Sequence, residues 1–248
     1  MEKLRPKAVI FDLGSTLIEY EAIPWDELSR ICVEAGHKAL SAKGLGLPEL
    51  EEFNRIFDEL KQTYREKAAQ DLIEWNVPQL IEQLLAKCEL QQTDGLVEKF
   101  FDAYYGPVAR HLYAFEDTLP TLEALRPRFD VIGLISNTIF PESAHLKEMD
   151  RFGIREFFDF TVFSSTFGIR KPHPDIFYQA ANLSGYAPSE CVYIGDRYVE
   201  DVLGPRGVGM EAILKVKPSR AYPDEMPEAT RRIDQLAELP QHIDFSLD

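Results

Sequence analysis

Apolar residues fall along this chain in two rhythms. Short, nearly unbroken runs occur at Ala8–Phe11, Val131–Ser136, Phe160–Phe163, Val192–Ile194 and Glu211–Val216. Runs of that length, apolar at successive positions, predict strands buried on both faces. Helical patterns sit around the later runs, at Thr118–Leu125, Glu142–Phe152, Asp175–Ser184 and Val199–Leu203. Strands alternating with helices predict an α/β fold: a Rossmann-like parallel sheet covered by helices on both faces. Ligands of such sheets bind beyond the carboxyl ends of the strands.

Between the first run and the rest the rhythm changes. Phe53, Ile56, Phe57 and Leu60 repeat at helical spacing, as do Leu80, Ile81, Leu84, Leu85 and Cys88. Pro24 and Pro48 stand where helices can start, and Thr93 with Asp94 is a candidate cap for a helix running to about Arg110. Four helices predict a small bundle inserted into the sheet domain. The expected division is a core of residues 1–17 and 113–248 and an α-helical cap domain of residues 18–112. The segment Lys217–Pro227, with three prolines, predicts a loop, and Asp234–Leu239 a last short helix.

Composition narrows the function classes. The 248 residues carry a formal net charge of -15, which argues against a non-specific nucleic-acid binder, since such proteins present a basic face. No apolar run approaches the roughly 20 residues of a membrane span, and Met1–Pro6 lacks a signal-peptide core. Cys32, Cys88 and Cys191 form no paired metal or redox motif. A cytoplasmic location with reduced thiols is the expectation. The five histidines show no metal-ligand spacing and read as ordinary residues. The stripe Phe100, Phe101, Tyr104, Tyr105 reads as helix packing. No sequence feature fixes an oligomeric state.

Polar residues just past the apolar runs carry the chemistry. Asp12 follows the first run and opens the turn Leu13-Gly14-Ser15-Thr16. A carboxylate at the end of a buried strand is costly unless it has a partner or a task, and here it is a candidate nucleophile. Ser136, with Asn137 behind it, ends the second run, where a hydroxyl and backbone amides can donate to a phosphoryl oxygen. Thr16 and Asn137 are candidate substrate contacts. Lys171, in Arg170-Lys171-Pro172-His173-Pro174, can offset charge on a transferring phosphoryl group. Asp196 and Asp201, in Gly195-Asp196-Arg197-Tyr198-Val199-Glu200-Asp201, supply carboxylates of the kind that hold magnesium together with Asp12. Asp201 either ligates directly or orients Asp196.

These four segments, in this order, resemble the motifs of the haloacid dehalogenase-like hydrolase superfamily. The resemblance implies a helical cap inserted after the first motif, Mg2+ dependence, and phosphoryl transfer through Asp12 with a small phosphorylated substrate. It implies Asp12, Ser136 and Lys171 as catalytic residues. It also implies a metal held by Asp12, Asp196, Asp201 and the backbone carbonyl of Gly14. The departure is Gly14 itself. Phosphatases of the superfamily have an aspartate there as general acid and base, an effect worth about 100- to 10,000-fold. Three readings follow: another group such as Glu19, Tyr20 or a cap residue supplies the proton; the leaving group needs little help; or the protein binds a phosphorylated ligand without turning it over. Dehalogenase chemistry fits Asp196 poorly. Phosphonatase chemistry would need a cap lysine, and Lys38, Lys43 and Lys61 sit in no motif of that kind.

Overall fold

The computed structural model describes residues 2–90, 95–227 and 230–245. Its centre is β1 (Ala8–Phe11), every residue of which is buried. β1 is flanked by β4 (Val131–Ser136) and β6 (Cys191–Gly195), and the six-stranded sheet runs β5-β4-β1-β6-β7-β8, with β5 at Phe160–Phe163, β7 at Glu211–Lys215 and β8 at Arg231–Ile233. All five pairings are parallel. The apolar runs are therefore strands covered on both faces, as their composition requires. Phe11 pairs with both Leu134 and Ile194. That register brings Asp12, Ser136 and Asp196 to one edge of the sheet.

Two short strands were not foreseen. β2 (Ile18–Glu19) pairs antiparallel with β3 (Tyr113–Ala114) in a separate ribbon. The inserted segment is thus not helical from Ile18 onward. β8 was also unexpected; its Arg231-Arg232-Ile233 carries too little apolar character to announce a strand. Residues 198–203 form a wide π-type coil rather than an ordinary helix turn. The last helical segment is a 3₁₀ stretch at Leu236–Gln241.

Between β2 and β3 lie α1 (Trp25–Ser41), α2 (Leu50–Asp71), α3 (Val77–Lys87) and α4 (Leu96–His111). α3 starts where Asn76 accepts a hydrogen bond from the Gln79 N–H at 3.0 Å, with Pro78 as the second residue of its first turn. Thr93 and Asp94 lie outside the described residues; α4 itself begins after Gly95, which has φ 83°. α1 and α4 pack face to face, and Gly36 of α1 admits the Phe100 ring of α4. The insertion docks on the core through backbone hydrogen bonds: Glu74 N–H to the Gly168 carbonyl at 2.9 Å, Val77 N–H to Ile139 at 2.8 Å, and Arg170 N–H to Leu72 at 3.0 Å.

The remaining helices include α5 (Thr118–Leu125), α6 (Glu142–Arg151), α7 (Ser164–Phe167) and α8 (Pro174–Ser184). No helix among the described residues is long and apolar enough to cross a membrane. Cys32 and Cys191 are buried, Cys88 is half-buried, and all three are free.

A Cβ at Gly36 would lie 2.5 Å from the fully buried Phe100 ring. Gly36→Val should therefore lower stability by about 1–3 kcal/mol through overpacking. A denaturant midpoint equal to or above that of the parent would show that the α1–α4 seam can open to accept the side chain.

Candidate active site

The floor of the site is an ion-pair cluster at the carboxyl ends of β1 and β6. Lys171, 2% exposed, donates from Nζ to Asp12 Oδ1 at 2.8 Å and Asp201 Oδ1 at 2.7 Å. It also reaches the Tyr193 hydroxyl at 2.7 Å and the Ile135 carbonyl at 3.3 Å. Burial disfavours the charged lysine, but Asp12 and Asp201 together hold its pKa above the ordinary value. Burial also pushes the Asp12 carboxyl upward; Lys171 pulls it back and Asp201 adds to the rise. Thr16, fully buried, donates to Asp12 Oδ2 at 3.2 Å. It holds the carboxylate from behind and does not line the open cleft, unlike the substrate contact the sequence suggested. Asn137 likewise spends its side chain on the backbone of Lys171, donating to its carbonyl at 2.9 Å and accepting from its N–H at 2.8 Å. It fixes the loop that carries the lysine.

Asp196 is the odd member. It is 1% exposed, and its Oδ1 has no hydrogen-bond partner. The Arg220 guanidinium stands 2.6 Å from Oδ2 but outside hydrogen-bond geometry. Burial, then the charges of Asp12 and Asp201, push the Asp196 carboxyl up to about 7. Asp201 is held by the Arg197 N–H at 2.8 Å, and it reaches the site because residue 195 is glycine: a Cβ there would lie 2.5 Å from its Cγ. Asp12, Asp196 and Asp201 each offer an oxygen, all within 4.8 Å of one another. Three buried carboxylates around one lysine, with an orphaned oxygen among them, fit a hard divalent cation such as Mg2+.

Above this floor opens a cleft of about 350 Å³ between the sheet edge and the helical insertion. Asp12, Gly14, Ser136, Asn137 and Lys171 line it from the core, and Ser29, Lys61, Arg65 and Tyr104 from the insertion. Gly14 has no left-handed backbone angle, and a Cβ there would meet Tyr20 at an ordinary 3.5 Å. The chain geometry does not demand glycine at this position. Glu19, weighed on sequence as a proton donor, instead accepts from Lys217 at 2.9 Å and Ser15 at 3.3 Å.

Sequence reasoning missed several members of the site. Tyr193 looked like one more apolar strand residue. Arg220 comes from the proline-rich loop, where nothing in the pattern marks it. His145 and Glu148 sit on the buried face of α6 beside Ala144 and Met149. Two ionisable residues on an apolar helix face are a legible signal of a buried polar network. Tyr105 also exceeds a packing role, because its hydroxyl donates to Glu148.

Comparison with known proteins identifies relatives over most of the chain. The sequence is 29% identical over 207 residues to the glyceraldehyde 3-phosphate phosphatase of Methanopyrus kandleri, covering 84% of this chain and 82% of that one. The fold is shared with a 2-haloacid dehalogenase from Pseudomonas syringae pv. Tomato DC3000 (TM-score 0.67, 23% identity, 95% and 97% of the two chains covered). It is shared equally with a HAD phosphatase from Thermococcus onnurineus (TM-score 0.66, 23% identity, 97% and 99% covered). The sequence profile of the haloacid dehalogenase-like hydrolases matches residues 6–209, and the chain belongs to that family of hydrolases.

Proposed function

We propose that this hydrolase is a Mg2+-dependent phosphatase of a small phosphorylated metabolite, acting through an aspartyl-phosphate on Asp12. The observation that carries the reading is the buried trio Asp12, Asp196 and Asp201, with Lys171 tied to two of them and one Asp196 oxygen left free. Displacement of halide by a carboxylate calls for no such cation site. The name of the Methanopyrus relative and the modest cleft, near the lower end of small-ligand pockets, favour a small substrate. Residues 18–112 act as a cap domain over a core of residues 1–17 and 113–248, enclosing the reacting group.

In this reading the phosphoryl group sits over Asp12, within reach of the Ser136 hydroxyl. Lys171 offsets charge on the nucleophile and the phosphoryl oxygens. An Asp12 oxygen forms the bond to phosphorus as the leaving oxygen departs toward the cleft, and water then hydrolyses the acyl phosphate. Asp12, Asp196, Asp201 and the Gly14 carbonyl would hold Mg2+, which would supply further charge neutralisation and orientation when bound.

Asp12→Asn should abolish Mg2+-dependent hydrolysis of p-nitrophenyl phosphate while leaving the circular dichroism spectrum unchanged. Activity retained in that variant would remove Asp12 from the chemistry. No turnover by the parent protein, together with Mg2+-enhanced phosphate binding by calorimetry, would assign a non-catalytic phosphate-binding role, one of the three readings that Gly14 leaves open.

The Asp196 value also sets a pH dependence. A carboxyl must lose its proton to ligate, so Mg2+ affinity should fall about tenfold per pH unit below 7 and level off above it. The metal-free protein should behave oppositely in stability. Its Asp196 pKa is raised from 3.8 to about 7, so the folded state holds a proton the unfolded chain releases, and stability falls as pH rises through that window. Titration calorimetry and thermal melts across that range check both; a flat Mg2+ affinity would exclude Asp196 as a ligand.

A further inference from the structure

Beside Gly14, on the wall of the cleft where a leaving group would depart, stands the phenol of Tyr20. Its hydroxyl is hydrogen-bonded to Glu148 and lies 3.1 Å from His145 Nδ1. Glu148 is 4% exposed and His145 2%. Glu148 accepts from Tyr105 through its other oxygen and lies 2.8 Å from His145 Nδ1. The far ring nitrogen, Nε2, is 2.6 Å from Thr138 Oγ1, which already accepts the Phe140 N–H at 3.0 Å. The Glu148 carboxylate 2.8 Å from Nδ1 favours the tautomer with its proton on Nδ1, in which Thr138 donates to Nε2.

We infer that Tyr20 is the proton donor to the leaving group, recharged by the buried Glu148 carboxyl behind it. The inference rests on the phosphatase reading above. Other groups of the cleft are poorly placed for the role. Glu21 faces Lys217, Arg220 and Arg197, which hold it ionised. Burial raises the Glu74 carboxyl, but both its oxygens are engaged, one by Ser164 at 2.8 Å and the other by Arg170 at 3.4 Å. Ser29 is spent on Lys61 at 3.1 Å.

Burial lifts the Glu148 carboxyl to about 7, so a large share of the molecules carry its proton near neutrality. Burial drives His145 down to about 3, which keeps the ring neutral and fixes it as a hydrogen-bonding spacer. A protonated Glu148 donates to the Tyr20 oxygen and turns the phenolic proton toward the cleft. As Asp12 bonds to phosphorus, the bond from phosphorus to the leaving oxygen breaks. That oxygen takes the Tyr20 proton, and Tyr20 takes the Glu148 proton. In the second step a water oxygen attacks phosphorus and the bond to Asp12 breaks. The water's proton returns through Tyr20 to Glu148, so the cycle closes with every proton accounted for.

The test is the dependence of rate on the leaving group, measured on the full chain with Mg2+. Tyr20→Phe keeps the ring and removes the proton. Its kcat should fall about 100-fold or more on an alkyl substrate such as glycerol 3-phosphate, but less than about tenfold on p-nitrophenyl phosphate, whose leaving group needs little protonation. Glu148→Gln should show the same split. Adding Gly14→Asp to Tyr20→Phe should recover alkyl activity, because the backbone and space at residue 14 admit an acid. Equal losses on both substrates would reduce Tyr20 to a packing role and overturn the inference, as would an unchanged alkyl rate. A parent protein inert toward both substrates would instead overturn the phosphatase reading, and the proton donor with it.

Discussion

Everything at this sheet edge depends on one buried cation. Lys171 joins Asp12, at the end of the central strand, to Asp201, in the coil after β6. Removing one partner of such a buried pair generally costs about 3–5 kcal/mol, because the other charge is left without compensation. The surroundings are accordingly built around the lysine. Asn137 clamps its backbone, Tyr193 and Ile135 accept its remaining contacts, and Gly195 clears the space through which Asp201 approaches. Lys171 reaches only two of the three carboxylates; Asp196 faces Arg220 outside hydrogen-bond geometry and keeps one oxygen with no partner. The same imbalance that makes the floor attractive to a divalent cation makes it a poor resting place without one.

Much of this was legible in the chain. The continuous apolar runs identify five of the six strands of the main sheet because a strand covered on both faces has no polar side to show. Asp12, Ser136 and Asp196 stand out because each is polar where the pattern has just been apolar, and Lys171 because prolines at 172 and 174 mark its place. What stayed hidden has a common physical reason. Thr16 and Asn137 are short polar residues in turns, and sequence cannot say whether such a side chain faces a ligand or another part of the chain, here the Asp12 carboxylate and the Lys171 backbone. β2, β3 and β8 are too short to establish a rhythm. Tyr20, Glu148 and His145 meet only after the chain has closed over 128 residues of separation between the phenol and the carboxyl.

The two halves of the cleft differ in how they are held. The core side is locked by buried ion pairs and by the parallel ladder. The insertion meets it through backbone hydrogen bonds, the buried Glu74 carboxylate against Ser164 and Arg170, the Tyr105–Glu148 contact and aromatic packing of Tyr105 on Phe140, while Arg65 lines the cleft. Buried charge is thus concentrated where atoms would react, and Arg65 faces the space where a substrate's remainder would be read. Glu148, on α6 of the core, joins two separate parts of the insertion, bonding Tyr20 beside the nucleophile and Tyr105 on α4.

The β2–β3 ribbon gives this division a further meaning. The chain leaves the core at Ile18 and returns at Ala114, and those two residues are paired neighbours. Adjacent strands lie about 4.8 Å apart, so the whole four-helix segment hangs from a gap scarcely wider than one peptide unit. To the sheet, that segment is a side chain on a hairpin. The strand that carries Asp12 is held by its own ladder to β4 and β6, so a change in the helices reaches the catalytic floor from the other side, through Leu72 and Glu74, which bind the backbone on either side of Ile169 just before Lys171.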